Sequence, residues 1–147
     1  MTLLANKQLK EGFAQLYSRY PFEAFITLTY RLTPSQTNME KHLKKYIQIL
    51  SGQTGLRLGA IAVIVPEQHR PHLHILVLGA NGRGETLCDI PLSIMECLWR
   101  YGTAKAEYVY DLDGAANYMA GNHSSTSRLW TYGHRLLCST KLHTEAA

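Results

Sequence analysis

RLGAIAVIVPEQHRPHLHILVLG, residues 57–79, decides the fold of this chain. Two aliphatic runs, 57–65 and 72–78, flank the polar stretch Pro66–Pro71. Short runs rich in Val, Ile and Leu and bounded by turn residues read as mostly buried strands. The connection is short enough for a hairpin, which argues for an antiparallel or mixed sheet. Two imidazoles, His72 and His74, stand one residue apart at the mouth of the second run.

Upstream, AFITLTY (24–30) alternates Phe25, Thr27 and Thr29 with Ile26, Leu28 and Tyr30, a strand pattern. Before it, Leu9, Phe13, Leu16, Tyr17 and Tyr20 within 3–20 suit an amphipathic helix stopped by Pro21. After it, Thr33-Pro34-Ser35-Gln36 reads as a helix start, with Thr33 as cap, Pro34 first in the helix and Gln36 closing a capping box. Met39, Leu43, Tyr46, Ile47 and Leu50 form its apolar stripe, and Gly52 suits its end. Downstream, NGRGE (81–85) is a loop, and Pro91–Tyr101 reads as a helix closed by Gly102. Ile94, Leu98 and Trp99 belong to the core there. AKAEYVY (104–110) alternates like a strand. Asp113 caps a short helix through Tyr118, ending near Gly121, and 134–138 is a candidate last strand. The expectation is an α/β (α+β) domain over 1–147. It has a central antiparallel sheet of about five strands with helices mainly on one face, in a split β-α-β, ferredoxin- or RRM-like arrangement.

At 147 residues and 46% hydrophobic content, one domain with one sizeable core is expected. No apolar run of ~18 residues predicts a membrane span. MTLLANKQLKEGF is too polar for a secretory signal, and KLHTEAA looks like a frayed end. Cys88, Cys97 and Cys138 are odd in number and lack CxxC spacing, which suits reduced thiols in a cytoplasmic protein. A net charge of +4 and a pI near 9.0 mildly favour a polyanionic partner.

On a strand, residues i and i+2 share a face, so His72 and His74 point one way. Two imidazoles on one face can hold one metal ion. Glu67 is the best local third ligand, since a carboxylate suits Mg²⁺ or Mn²⁺, with Gln68 and His69 as rivals. The plainer alternative is a pair of half-exposed strand-end histidines. No cysteine pair has the spacing for a structural Zn²⁺ site. In a histidine-triad hydrolase a third histidine would stand where this chain has Leu76.

Three blocks in order resemble the HUH (His-hydrophobic-His) endonucleases, specifically single-tyrosine rolling-circle replication initiators of plasmids and phages. FITLTY (25–30) resembles the first motif, RPHLHILV (70–77) the metal-binding second, and DLDGAANYMAGN (111–122) the helix with the nucleophilic tyrosine. LWRYGTAKAEYVYDLDGAANY and RLWTYGHRLL (128–137) are similar to the neighbouring segments. The resemblance implies metal-dependent, site-specific cleavage of single-stranded DNA at a replication origin. Tyr118 would be the nucleophile, leaving a 5′-phosphotyrosine link and a free 3′-hydroxyl. His72, His74 and Glu67 would hold Mg²⁺ or Mn²⁺, and a host helicase and polymerase would complete replication. One departure stands out: family members commonly carry a lysine three residues after the tyrosine, where this chain has Gly121. Lys105, Arg128 and Lys141 are candidate replacements. No second tyrosine follows four residues on.

Thr27 and Thr29 either shape the DNA-facing side or satisfy strand propensity. Arg70, Arg83, Lys105, Arg128 and Arg135 are candidate phosphate contacts. Tyr108, Tyr110, Trp130 and Tyr132 are candidate stacking platforms, more of them core than platform. The competing readings are a single-stranded nucleic-acid-binding module that does not cut, and an HUH-type tyrosine transposase.

Overall fold

The computed structural model describes residues 11–67, 70–122 and 127–133. Helical residues 11–17 (α1) lead into β1 (Ala24–Thr29), α2 (Gln36–Thr54), β2 (Arg57–Val65), β3 (His72–Ala80), α3 (Leu92–Cys97), β4 (Ala104–Tyr108), α4 (Leu112–Gly121) and β5 (Arg128–Tyr132). The strands form one sheet in the order β4-β1-β3-β2-β5, with every neighbouring pair antiparallel. The expected α+β fold is therefore present. Because β1 and β2 both run antiparallel to β3 between them, β1-α2-β2 is a split β-α-β unit. The proposed strand at 134–138 lies outside the described residues, and the edge beside β2 is formed by β5 instead.

The hairpin behaves as its composition requires. In β2 every residue after Arg57 is buried, and in β3 only the two ends are partly exposed. Strands this apolar need cover on both faces. On one face, Ile26, Leu28, Ala62, Ile64, Leu73 and Ile75 pack with α2 and α3. The α2 stripe of Met39, Leu43, Tyr46, Ile47 and Leu50 is buried there, each large side chain contributing about 1.5–3 kcal/mol. On the other face, α1 and α4 join Ile61, Val63, Val65, Leu76 and Leu78. Most helical residues lie on the first face, as expected, but the shorter pair gives the second its own core. That cover is incomplete over β1, whose burial alternates strictly. Phe25, Thr27 and Thr29 face the opening.

Element ends depart from the sequence expectations for local reasons. Ser35, not Thr33, caps α2, its hydroxyl accepting from Asn38 N at 3.2 Å. Pro34 therefore sits outside the helix. α2 ends at Gly55, not Gly52, because Gly55 adopts the left-handed conformation (φ 71°) that a C-terminal cap requires. Asp111, not Asp113, caps α4 through Gly114 N. α3 stops at Cys97, and 98–102 is an irregular segment held on the end of β1. Replacing Ser35 with Ala is expected to cost about 1 kcal/mol, lowering the melting temperature by about 2–4 °C in a thermal denaturation scan.

Trp99 is buried, as expected, but Ile94 is exposed. Cys88 and Cys97 are free and exposed, while Cys138 lies outside the described residues. Among the described residues, no helix is long and apolar enough to cross a membrane.

Candidate nucleic-acid and metal site

Strand register assembles the site. Thr27 pairs with His74 and Thr29 with His72, so all four side chains emerge on the α4 face. Lys105 pairs with Thr27 from the other side and joins the same face. α4 crosses above, and its Tyr118 is 60% exposed although the helix is otherwise anchored by Ala116, Met119 and Ala120. The phenol ring stands edge-on to His74, with centroids 5.5 Å apart, and edge-on to Phe25 at 5.8 Å. Phe25 in turn stacks on His74 at 5.6 Å. The residues from separate motifs thus meet at one end of one sheet face.

The histidines differ in environment. His72 is half-buried, and its Nδ1 lies 2.7 Å from the Arg70 carbonyl oxygen. A carbonyl only accepts, so Nδ1 carries the proton and Nε2 keeps its lone pair. His74 is buried, with its Nδ1 3.2 Å from Thr27 Oγ1. Burial, reinforced by His72, pushes the His74 imidazole down to about 4. A side-chain hydrogen bond with Asn122 opposes this and is the smaller effect. His74 is therefore neutral at neutral pH, the form in which imidazole binds metal. The ring centroids of the two histidines are 4.9 Å apart.

The expected trio of His72, His74 and Glu67 is not assembled. Glu67 lies exposed on the connection beyond β2, past Pro66. Among the described residues, no group of three His, Cys, Asp or Glu could hold a metal ion. Gln68 and His69 lie outside the described residues. As a donor set, the two imidazoles fit a divalent ion that takes its remaining ligands from water or substrate oxygen.

Beside the pair, a groove of about 780 Å³ runs between β1, β4 and α4. Thr27, Thr29, Lys105, Tyr110 and Tyr118 are among its lining residues. Tyr110 is 91% exposed, which leaves its ring available for stacking. Tyr108, Trp130 and Tyr132 instead pack partly buried against the core under α2. Arg70 is exposed beside His72. Arg83 is elsewhere, ion-paired to Glu85 beyond the far end of the hairpin. Arg128 projects from β5 on the opposite face and pairs with Glu40 of α2 at 2.9 Å. Of the candidate replacements for the missing lysine, only Lys105 shares a face with Tyr118 among the described residues. Lys141, like Arg135, lies outside the described residues.

Two site residues escaped the sequence reading. Phe25 has the same strand parity as Thr27 and Thr29, a signal that was available. Asn122 sits four residues after Tyr118, one turn on, and its Nδ2 donates to the Tyr118 carbonyl oxygen at 2.8 Å. It therefore ties the tyrosine helix to His74.

A ferredoxin-like sheet carrying an imidazole pair beside an exposed helical tyrosine, with a hydroxyl-lined groove alongside, defines a class: an α+β protein with an open polar site on one sheet face. Residues 23–127 match the family model of the ORF2-type replication-associated proteins, and the chain belongs to that family. The match contains His72, His74 and Tyr118, and membership supports DNA binding and a role in initiating replication. Among solved structures, the crystal structure of the hypothetical protein ORF119 from Sulfolobus islandicus rod-shaped virus 1 is similar at 18% identity, covering 78% of this chain and 94% of that one, with a TM-score of 0.48. No curated protein matches the chain significantly.

Proposed function

We propose that the chain is a metal-dependent single-stranded DNA endonuclease and strand transferase of the HUH type, which initiates rolling-circle replication through Tyr118. One observation carries this reading: Tyr118 is exposed within ring contact of His74, on the face shared with His72. In the reaction, Tyr118 Oη attacks the scissile phosphorus. The bond from phosphorus to the 3′-oxygen breaks, and the leaving oxygen takes a proton to become a free 3′-hydroxyl. The 5′ fragment remains as a phosphotyrosine ester, which a later 3′-hydroxyl can attack to rejoin the strand. His72 and His74 would hold Mg²⁺ or Mn²⁺ through Nε2, supplying positive charge that polarises the phosphate. Thr27 and the Arg70 carbonyl fix the ring orientations, as outer partners of metal-bound histidines do. Lys105 and Arg70 attract neighbouring phosphates. A host helicase and polymerase would act on the product, in the host cytoplasm.

The test is a covalent-adduct assay with single-stranded DNA from the chain's own replicon, with Mn²⁺ or EDTA, read on denaturing gels. A slow band is expected with Mn²⁺ and not with EDTA. His72→Ala and His74→Ala should each lower its rate on the order of 10²–10³-fold. Glu67→Ala should lower it far less, since Glu67 is not assembled with the pair. Tight DNA binding with no band on any replicon strand would favour a module that binds without cutting, with Gly121 in place of lysine as the physical reason.

A further inference from the structure

Beyond the groove, the end of the sheet carries a second recess of about 320 Å³. Tyr30, Arg31, His42, Arg100 and Tyr101 are among its lining residues, and neither Asp nor Glu is. A smaller hollow next to it shares His42, Arg100 and Tyr101 and adds Lys45, again without a carboxylate. The ring pair at its centre is ordered: His42 and Tyr101 stack at 3.8 Å with planes 15° apart. Tyr30 Oη lies 3.1 Å from His42 Nδ1. Arg31 is held by two bonds, its backbone N donating to the Tyr101 oxygen and its Nη2 to the Arg100 oxygen, both at 2.9 Å. Both arginines and Lys45 are exposed.

We infer that this recess is a second nucleic-acid contact, holding single strand that continues from the groove round the end of β1. The inference rests on the nucleic-acid reading of the groove. The two cavities adjoin in the chain: Thr29 and Thr103 line the groove, Tyr30 and Tyr101 the recess. A strand leaving the groove at Thr29 meets Arg31 and Arg100 next. Guanidinium groups match phosphate oxygens, and an ordered aromatic pair offers a surface to an unstacked base. Nothing in the proposed cleavage uses these residues.

The probes are fluorescein-labelled oligothymidylates of about 6 and about 20 nucleotides, one able to fill the groove alone and one able to reach the recess. Anisotropy titrations over a range of salt give affinity and the slope of log affinity against log salt. For Arg31→Gln/Arg100→Gln, the slope for the long oligomer should fall by about 1.4, at about 0.7 per lost phosphate contact. Its affinity should fall on the order of tenfold, while the short oligomer binds as to wild type. Lys45→Gln, a separate exposed change, should lower the long-oligomer slope by about 0.7 and leave the short one alone. Equal losses on both oligomers would overturn the inference, as would no loss on the long one. The latter would fit a recess that receives an acidic protein segment instead. Only binding is read, so the result is independent of whether Tyr118 cleaves.

Discussion

Tyr118→Phe is expected to abolish the covalent adduct while leaving fold and DNA binding in place. The substitution removes one oxygen. The ring keeps its edge contacts with Phe25 and His74, and α4 keeps its anchor in Ala116, Met119 and Ala120. Tyr118 is 60% exposed, so stability should stay within about 0.5 kcal/mol of wild type. Chemistry should suffer on the order of 10⁴-fold or more, the scale of losing a covalent nucleophile outright. Three readouts are needed together: adduct yield on denaturing gels, oligonucleotide affinity and melting temperature. Loss of adduct alone identifies the nucleophile. A band that survives moves the nucleophile elsewhere and would sink the assignment. Loss of all three would mean that the ring, not the hydroxyl, was essential.

That site was partly legible before any coordinates. Period-two spacing placed His72 and His74 on one face, and the strand alternation in FITLTY aligned Phe25, Thr27 and Thr29. What spacing could not supply was the register between strands. Only the pairing of Thr27 with His74 and with Lys105 explains why these share a groove that excludes Arg83 and Arg128. Cations are chemically alike in a sequence; which face and which end they occupy depends on long-range pairing. The same holds for Glu67, whose short sequence distance from His72 does not bring it into a ligand set.

The fold was legible where burial is two-sided. The 57–79 hairpin is apolar because both faces are covered, and that pattern has few other solutions. Helix ends were less legible. Thr33, Pro34 and Ser35 offer two workable starts with similar local energies, and the hydrogen bond from Asn38 N decides for Ser35. Gly52 and Gly55 likewise both suit a stop, and the turn closes at Gly55.

Gly102 shows how far a local reading can miss the physical role. In sequence it is a helix terminator. In the structure α3 has already ended, and Gly102 lies against the end of β1. A Cβ there would run into the Thr29 carbonyl oxygen and stand 2.9 Å from Tyr30 Cα. Both neighbours are backbone, so no side-chain rotation relieves the clash. The segment cannot back away cheaply, because it is bonded on both sides. Thr29 N donates to Thr103 O at 2.9 Å, Arg31 N to Tyr101 O at 2.9 Å and Trp99 Nε1 to Thr29 O at 2.8 Å. Gly102→Ala must therefore stretch or break these bonds and loosen Trp99. At about 1 kcal/mol per bond, the loss is about 3 kcal/mol, or about 6–12 °C in melting temperature. Gly82→Ala, where a Cβ meets nothing within 4 Å, should stay within about 0.5 kcal/mol. The functional loss should be larger than the stability loss suggests. Thr29 and Thr103 line the groove, and Tyr30 and Tyr101 line the recess, so one shifted backbone misplaces both walls. A misplacement near 1 Å costs on the order of 10²-fold in rate. Adduct formation measured well below the melting temperature should fall by that factor even though the protein remains folded. A melting temperature within about 1 °C of wild type would refute the clamp, because no relaxation that keeps all three bonds can clear a carbonyl oxygen so placed.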